Sequence, residues 1–239
     1  MFYFFIPTIL SYNLLLVAAA VIPAVILMIR AYRSDRLERE SPALLRRLVV
    51  AGILSSLLAL VEEYVLEAVL NLFVPSDSIL YSVLLYFGVV ALAEESSKYI
   101  LLKRRTWRSA EFNCQYDGIV YALFVSLGFA LWENISYVMA YGFDAAILRA
   151  LTAIPGHACF GVFMGVFYSL AKRADNRGDE AASGTYRFLS VLIPALLHGV
   201  YDFIASTGFS VWIFGGFVAV LFIVSNLLVG KYARSDRFI

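Results

Sequence analysis

The sequence predicts an all-α fold, a polytopic bundle of about seven transmembrane helices with the N-terminus outside and the C-terminus in the cytoplasm. Three observations predict it. The chain is 62% hydrophobic with a mean hydropathy of +0.80, and 15% of its residues are charged, where a soluble domain carries about 25%. Apolar stretches near the roughly 20 residues needed to cross the hydrocarbon core recur along the whole chain. Positive charge collects in alternate loops, the asymmetry that sets membrane topology. A length of 239 residues suits a single integral membrane domain over residues 1–239, with no soluble domain beyond short loops.

The first span is placed at about residues 8–29 by that length criterion. No basic residue precedes its apolar run, and Arg30 follows it. A secretory signal carries positive charge first, so the segment reads as an uncleaved helix that starts outside. Further spans are expected at about 48–72, 79–101, 117–141, 147–171, 186–205 and 209–230. Arg30, Arg33, Arg36, Arg39, Arg46 and Arg47 flank the first two spans, and Lys103, Arg104, Arg105 and Arg108 follow the third. Lys172, Arg173, Arg177 and Arg187 lie between the fifth and sixth, and Lys231, Arg234 and Arg237 form the tail. All these loops fall on one side, the cytoplasmic side by the positive-inside rule. The outer loops around VPSDS, YGFDAA and STG are short and nearly free of Lys and Arg. Of the 19 basic residues, the two exceptions are Lys98, inside the third span, and Arg149, at the start of the fifth.

The connecting segments are bland. KRADNRGDEAASGTYR, residues 172–187, has the composition of a flexible linker. KRRTWRSAEFNCQY is basic beside a membrane, which serves topology and attraction to anionic lipid and not nucleic-acid binding. Cys114 and Cys159 form no CxxC and read as free thiols. GVFMG is a GxxxG-type pattern suited to close helix packing, and by itself leaves the oligomeric state open.

Against this apolar background six ionisable residues stand inside predicted helices: Glu94, Glu95 and Lys98 in ALAEESSKYILL, Glu133 in GFALWENISY, His157 in AIPGHACFGV and His198 in IPALLHGVYDF. The two histidines are the only ones in the chain. Ionisable groups at membrane depth are costly and mark functional sites by default. On a helix Lys98 meets Glu94 at i,i+4 and Glu95 at i,i+3. A structural ion pair needs one carboxylate, so the second is free for a proton or a metal. His198 and Asp202 also share a face at i,i+4, where the carboxylate fixes the imidazole tautomer. Pro155 and Pro194 precede the histidines, and proline removes a backbone donor, so both histidines are expected beside helix breaks that line a cavity. Asp117 reads as an N-cap. Glu62, Glu63 and Glu67 in LVEEYVLE repeat the paired glutamates without a lysine and read as interfacial or cavity-lining, with Arg149 as a partner. One difficulty stands out. At 1.5 Å per residue Glu133, His157 and His198 lie about 10–15 Å below the outer surface, and Glu94 and Glu95 about 22 Å. A third helix that starts later, tilts or enters from a recessed loop closes that gap.

Three carboxylates, two imidazoles and an amide suit hydrolysis. Zinc takes His and carboxylate ligands and leaves one position for water. His157 and His198, with Glu133 or one glutamate of the pair, supply such ligands; a remaining glutamate is the general base, and Asn134 donates to the oxyanion. HExxH is absent. A metal-free scheme, with glutamate activating water directly, is equally sound chemically. Buried Glu, His and Lys also suit a proton- or ion-coupled transporter, although no inverted repeat is visible, or a non-catalytic membrane scaffold.

The order EExxK, then FxxxEN, then two membrane histidines with the second in HxxxD resembles the PrsW family of intramembrane proteases, bacterial relatives of the type II CAAX prenyl endopeptidases. The segments that carry the resemblance are LAEESSKYILL, YDGIVYALFVSLGFALWENISYV, RALTAIPGHACFGVFMG and IPALLHGVYDF, within motif-bearing helices spanning residues 79–205. The resemblance implies a multi-pass protease of the bacterial plasma membrane that cuts a single-span membrane protein of the anti-sigma-factor kind. It implies Glu94 and Glu95 as catalytic glutamates with His157 and His198 as essential partners. It also implies zinc, although the CAAX relatives are argued to be glutamate-driven. Catalytic roles are thus expected for Glu94, Glu95, Glu133, Asn134, His157 and His198, support from Lys98 and Asp202, and zinc ligation by His157, His198 and Glu133.

Overall fold

The computed structural model describes the backbone of residues 2–239 and the side chains of residues 14–239. The described residues are mostly helical, and among them seven helical segments are long and apolar enough to cross a membrane. The only β pairing among the described residues is an isolated bridge between Cys114 and Phe238. In order, α1 runs Phe2–Ser34 and α2 Pro42–Phe73. The third crossing is composite: α3 (Ile79–Val83), a π-helical stretch (Leu84–Ala91) and α4 (Leu92–Thr106). Then follow α5 (Asp117–Tyr141), α6 (Phe143–Leu151), α7 (Ala153–Asp175), α8 (Glu180–Ser206) and α9 (Val211–Arg234). The start of the first expected span lies outside the described side chains.

Local chemistry sets the helix ends. Ser41 caps α2 by accepting from the Leu44 amide, and Pro42 occupies the first helical position, where no amide is needed. Ser78, Asp179 and Ser210 cap α3, α8 and α9 in the same way. The polar segment 172–187 is consequently no linker. α7 runs through Asp175, a short turn with Gly178 at φ 76° follows, and Asp179 starts α8. Asp117 is the first residue of α5 and not its cap; its carboxylate turns back to accept from the amides of Asn113 and Cys114.

The proline expectations also shift. The break in the fifth crossing falls at Thr152 (φ −123°, ψ −64°), so Pro155 stands in the first turn of α7, among the amides that lack intrahelical partners in any case. Pro194 lies within α8, which continues through it.

α5 is the central post. α1, α2 and α7 pack around it, α8 packs on α7, and α8 also covers the π-helical stretch and α4. Glycines permit the tightest approaches. A Cβ on Gly52 of α2 would come 2.1 Å from the Val125 carbonyl, and one on Gly165 would come 2.5 Å from Ile119 Cα. Gly161 and Gly165, the GxxxG pair, thus pack α7 on α5 within the chain.

Candidate active site

α4 begins where the π-helical stretch ends, and its first turn carries Glu94 and Glu95. The π winding closes i→i+5 rings, so it is wider and advances less per residue than an α-helix. The straight-helix depth estimate does not hold: Glu94 and Glu95 each bring an oxygen within 4.8 Å of both histidines. α8 approaches this stretch closely: a Cβ on Gly199 would lie 2.4 Å from the Phe87 ring.

Lys98 is the hub. Its Nζ lies 2.7 Å from Glu95 Oε1, 3.1 Å from Glu94 Oε2 and 3.1 Å from His157 Nδ1, and 3.9 Å from the centre of the Phe129 ring. His157 Nε2 is 2.8 Å from Glu133 Oε2. His198 Nδ1 is 3.0 Å from Glu95 Oε1 and 3.8 Å from Glu94 Oε2, and its Nε2 is 3.3 Å from Asp202 Oδ2. The imidazoles stand nearly perpendicular with centres 5.3 Å apart, and Phe160 stacks on His198. Lys98 and Glu95 have no solvent exposure, and Glu94, His157 and His198 are buried.

Hydrogen-bond logic assigns the rings. Lys98 is only a donor, so His157 Nδ1 accepts from it and Nε2–H donates to Glu133. If His198 donates Nε2–H to Asp202, its Nδ1 lone pair faces the Glu95 carboxylate at 3.0 Å. Two lone pairs meeting there require a proton or a cation between them. Glu95 Oε2 is buried and has no hydrogen-bond partner. Glu94, Glu95, His157 and His198 each bring one ligand atom within 4.8 Å of the others. This mixed nitrogen and oxygen set fits a zinc-like ion. Charge agrees: Glu94, Glu95, Glu133 and Asp202 face two permanent cations, Lys98 and Arg149.

Glu133 stands outside that four-residue group. Its Oε2 faces His157 Nε2 on the far side of the ring and pairs with Arg149 Nη2 at 2.9 Å, so the group brought together with His157 and His198 contains the glutamate pair and not Glu133. Asn134 is fully buried and committed. Its Nδ2 donates to the Ala20 carbonyl at 2.9 Å, and its Oδ1 accepts from Arg149 Nε at 3.0 Å. One of its two Nδ2 hydrogens is thus committed, and its oxygen holds Arg149.

A cavity of about 470 Å³ opens over the cluster, with Glu94, Glu133, Arg149, His157, His198 and Asp202 in its wall. Glu63 also lines it, whereas Glu62 accepts from Ser97 and Glu67 accepts from Tyr81. Arg149 therefore joins the site through Glu133 and not through these α2 carboxylates. Its place in the site was missed from sequence. The signal was present, because Lys98 and Arg149 are the two basic residues outside the cytoplasmic pattern, and both stand here.

Comparison with known proteins finds relatives over most of the chain. A family model described as PrsW family intramembrane metalloprotease matches residues 40–229. A Protease PrsW of Geobacillus kaustophilus is 36% identical over 189 residues, 79% of each chain. One of Oceanobacillus iheyensis is 34% identical over 88% of this chain and 92% of its own, and one of Bacillus subtilis is 34% identical over 83% and 86%. No solved structure matches the chain significantly.

Proposed function

We propose, for a chain that belongs to the PrsW family of intramembrane metalloproteases, that Glu94 is the proton acceptor in peptide hydrolysis and that Glu95, His157 and His198 are the zinc ligands. The protein is a multi-pass bacterial membrane protease that acts on membrane-embedded substrates. The observation that carries the assignment is the split between the paired glutamates: Glu94 lines the cavity, while Glu95 has no exposure, meets His198 and Lys98 through Oε1 and keeps Oε2 unpartnered.

When bound, the zinc ion supplies a water whose pKa is lowered to about 7. Glu94 takes the proton of the attacking water and passes it to the leaving amine. Lys98 keeps both glutamates charged and in place. Glu133 holds His157 in the tautomer whose Nδ1 lone pair faces the cluster, where a bound zinc would take the place of the Lys98 hydrogen bond, and Asp202 orients His198 in the same way. Arg149, fixed by Glu133 and Asn134, has donors left for the developing oxyanion. The substrate is a single-span protein whose helix is drawn into the cavity, an anti-sigma-factor-like regulator by family likeness, cut near the outer face.

Purified protein is assayed for cleavage and for metal content. Glu94→Gln is expected to lower cleavage at least about 100-fold, the scale of a lost general base, with stoichiometric zinc retained. Glu95→Gln, His157→Ala and His198→Ala are expected to lose both. Full cleavage by Glu94→Gln, or zinc retained by all three others, overturns the assignment.

A further inference from the structure

A second group of carboxylates lies outside the catalytic cavity, at the head of α5. Asp35 follows α1, Glu40 precedes α2 and Asp117 opens α5; each brings one oxygen within 4.8 Å of the others. Asp35 and Asp117 are 1% exposed and Glu40 5%. The C-terminal tail closes over them. Gln115 N–H donates to the Arg237 carbonyl, Ile239 N–H to the Asn113 carbonyl and Tyr116 N–H to Asp236 Oδ1.

This charge is poorly answered. Asp117 Oδ2 accepts from two amides, at 3.0 and 2.6 Å. Asp117 Oδ1, both oxygens of Asp35 and Oδ2 of Asp236 are buried without a hydrogen bond of normal geometry. A carboxylate 99% buried with both oxygens unpartnered, turned toward two others, is costly unless something positive sits between them. Burial, with Asp236 alongside, pushes Asp35 up to about 6, and burial pushes Glu40 up to about 9. Arg39 is the basic side chain whose charge reaches Asp35. The donors are all oxygen, the chemistry of a hard cation that keeps some of its waters, unlike the mixed set in the membrane.

We propose that Asp35, Glu40 and Asp117 bind a divalent, oxygen-preferring cation, Mg²⁺ or Ca²⁺, that ties the α1–α2 loop to the head of α5 beneath the C-terminal tail. The site stands apart from the protease chemistry by 2 independent criteria: different ligand atoms and the opposite end of α5 from Glu133.

Tb³⁺ is the probe, excited through Tyr116, which adjoins Asp35, and Tyr121, which adjoins Glu40. The full chain in detergent is titrated on a Glu94→Gln/Glu95→Gln background, so that the membrane cluster contributes no emission. The expected result is saturable emission, displaced by Ca²⁺ or Mg²⁺, with apparent affinity at least tenfold weaker in Asp35→Asn and in Asp117→Asn. The thermal midpoint should rise with either cation in the parent and not in Asp35→Asn. Asp117→Asn disturbs two backbone contacts and can fail to fold; Asp35→Asn keeps an acceptor oxygen for the Glu38 amide, so it is the decisive variant. Undiminished emission in Asp35→Asn overturns the site. So does a parent with no cation response whose Asp35→Asn variant is simply more stable, the sign of a proton in place of a cation.

Discussion

Arg149 and Asn134 reverse the roles that sequence adjacency suggests. Asn134 follows Glu133 directly, but successive helical residues diverge by about 100°, and its amide holds the Ala20 carbonyl with one hydrogen and Arg149 with its oxygen. Arg149 lies 16 positions from Glu133 in the sequence, yet reaches it at 2.9 Å. Arg149 is accordingly expected to touch the reacting carbonyl and Asn134 to act through it. Arg149→Ala should lower kcat at least about 10-fold, in the range of a lost oxyanion donor, whereas Asn134→Ala should lose less, and Arg149→Lys should recover little because one ammonium cannot contact Glu133 and Asn134 together. Steady-state kinetics on a single-span substrate decides; an Asn134→Ala defect larger than that of Arg149→Ala contradicts the assignment. Lys98 carries a stability prediction. Lys98→Met leaves two carboxylates buried without their cation and should cost about 3–5 kcal/mol, read in chemical denaturation of the metal-free protein. At this scale the residues that cluster were visible in the sequence, because polar groups are conspicuous in apolar helices. It hid who touches whom, because that depends on rotation between helices.

Between elements, the contact of α8 with the π-helical stretch decides whether the histidine meets the glutamates. Gly199 sits against the Phe87 ring with no room for a methyl group, one residue from His198. Gly199→Ala should push α8 outward, cost about 1–3 kcal/mol as overpacking does, and lower cleavage more than that loss of stability explains. Phe87→Ala in the same chain should restore much of the activity. Thermal melting and cleavage measured together test it, and a fully active Gly199→Ala would show that the contact positions nothing. The seven crossings and their order were legible, since apolar length is a strong signal. The π winding was not, because LLYFGVVA carries the same apolar composition as an α-helix. Nor were the true breaks: Thr152 has no helix-breaking chemistry, while the prolines that do have it stand where a helix tolerates them.

For the whole molecule, topology is the property that charge predicts and coordinates alone leave unoriented. With the basic loops in the cytoplasm, Asp77→Cys in the loop before α3 should react with an impermeant thiol reagent on intact cells, and Arg177→Cys in the turn before α8 should not. The native Cys114 and Cys159 are buried and free, so background labelling is low. Labelling of Arg177→Cys with protection of Asp77→Cys would invert the topology and place the cut at the other face.

The packing of α5 and α9 sets how freely each can vary. Among the spans, α5 is 78% buried inside the protein and α9 only 11%. Lipid is indifferent to which apolar side chain it meets, so α9 is free to drift through Leu, Ile, Val and Phe without loss. α5 must instead keep Gly128, where a Cβ would lie 2.4 Å from the Val49 carbonyl, together with the polar residues its neighbours hold. Across distant descendants of this chain, the helix most open to lipid should be the least recognisable, and the helix that lipid hardly sees should be the one by which kinship is traced.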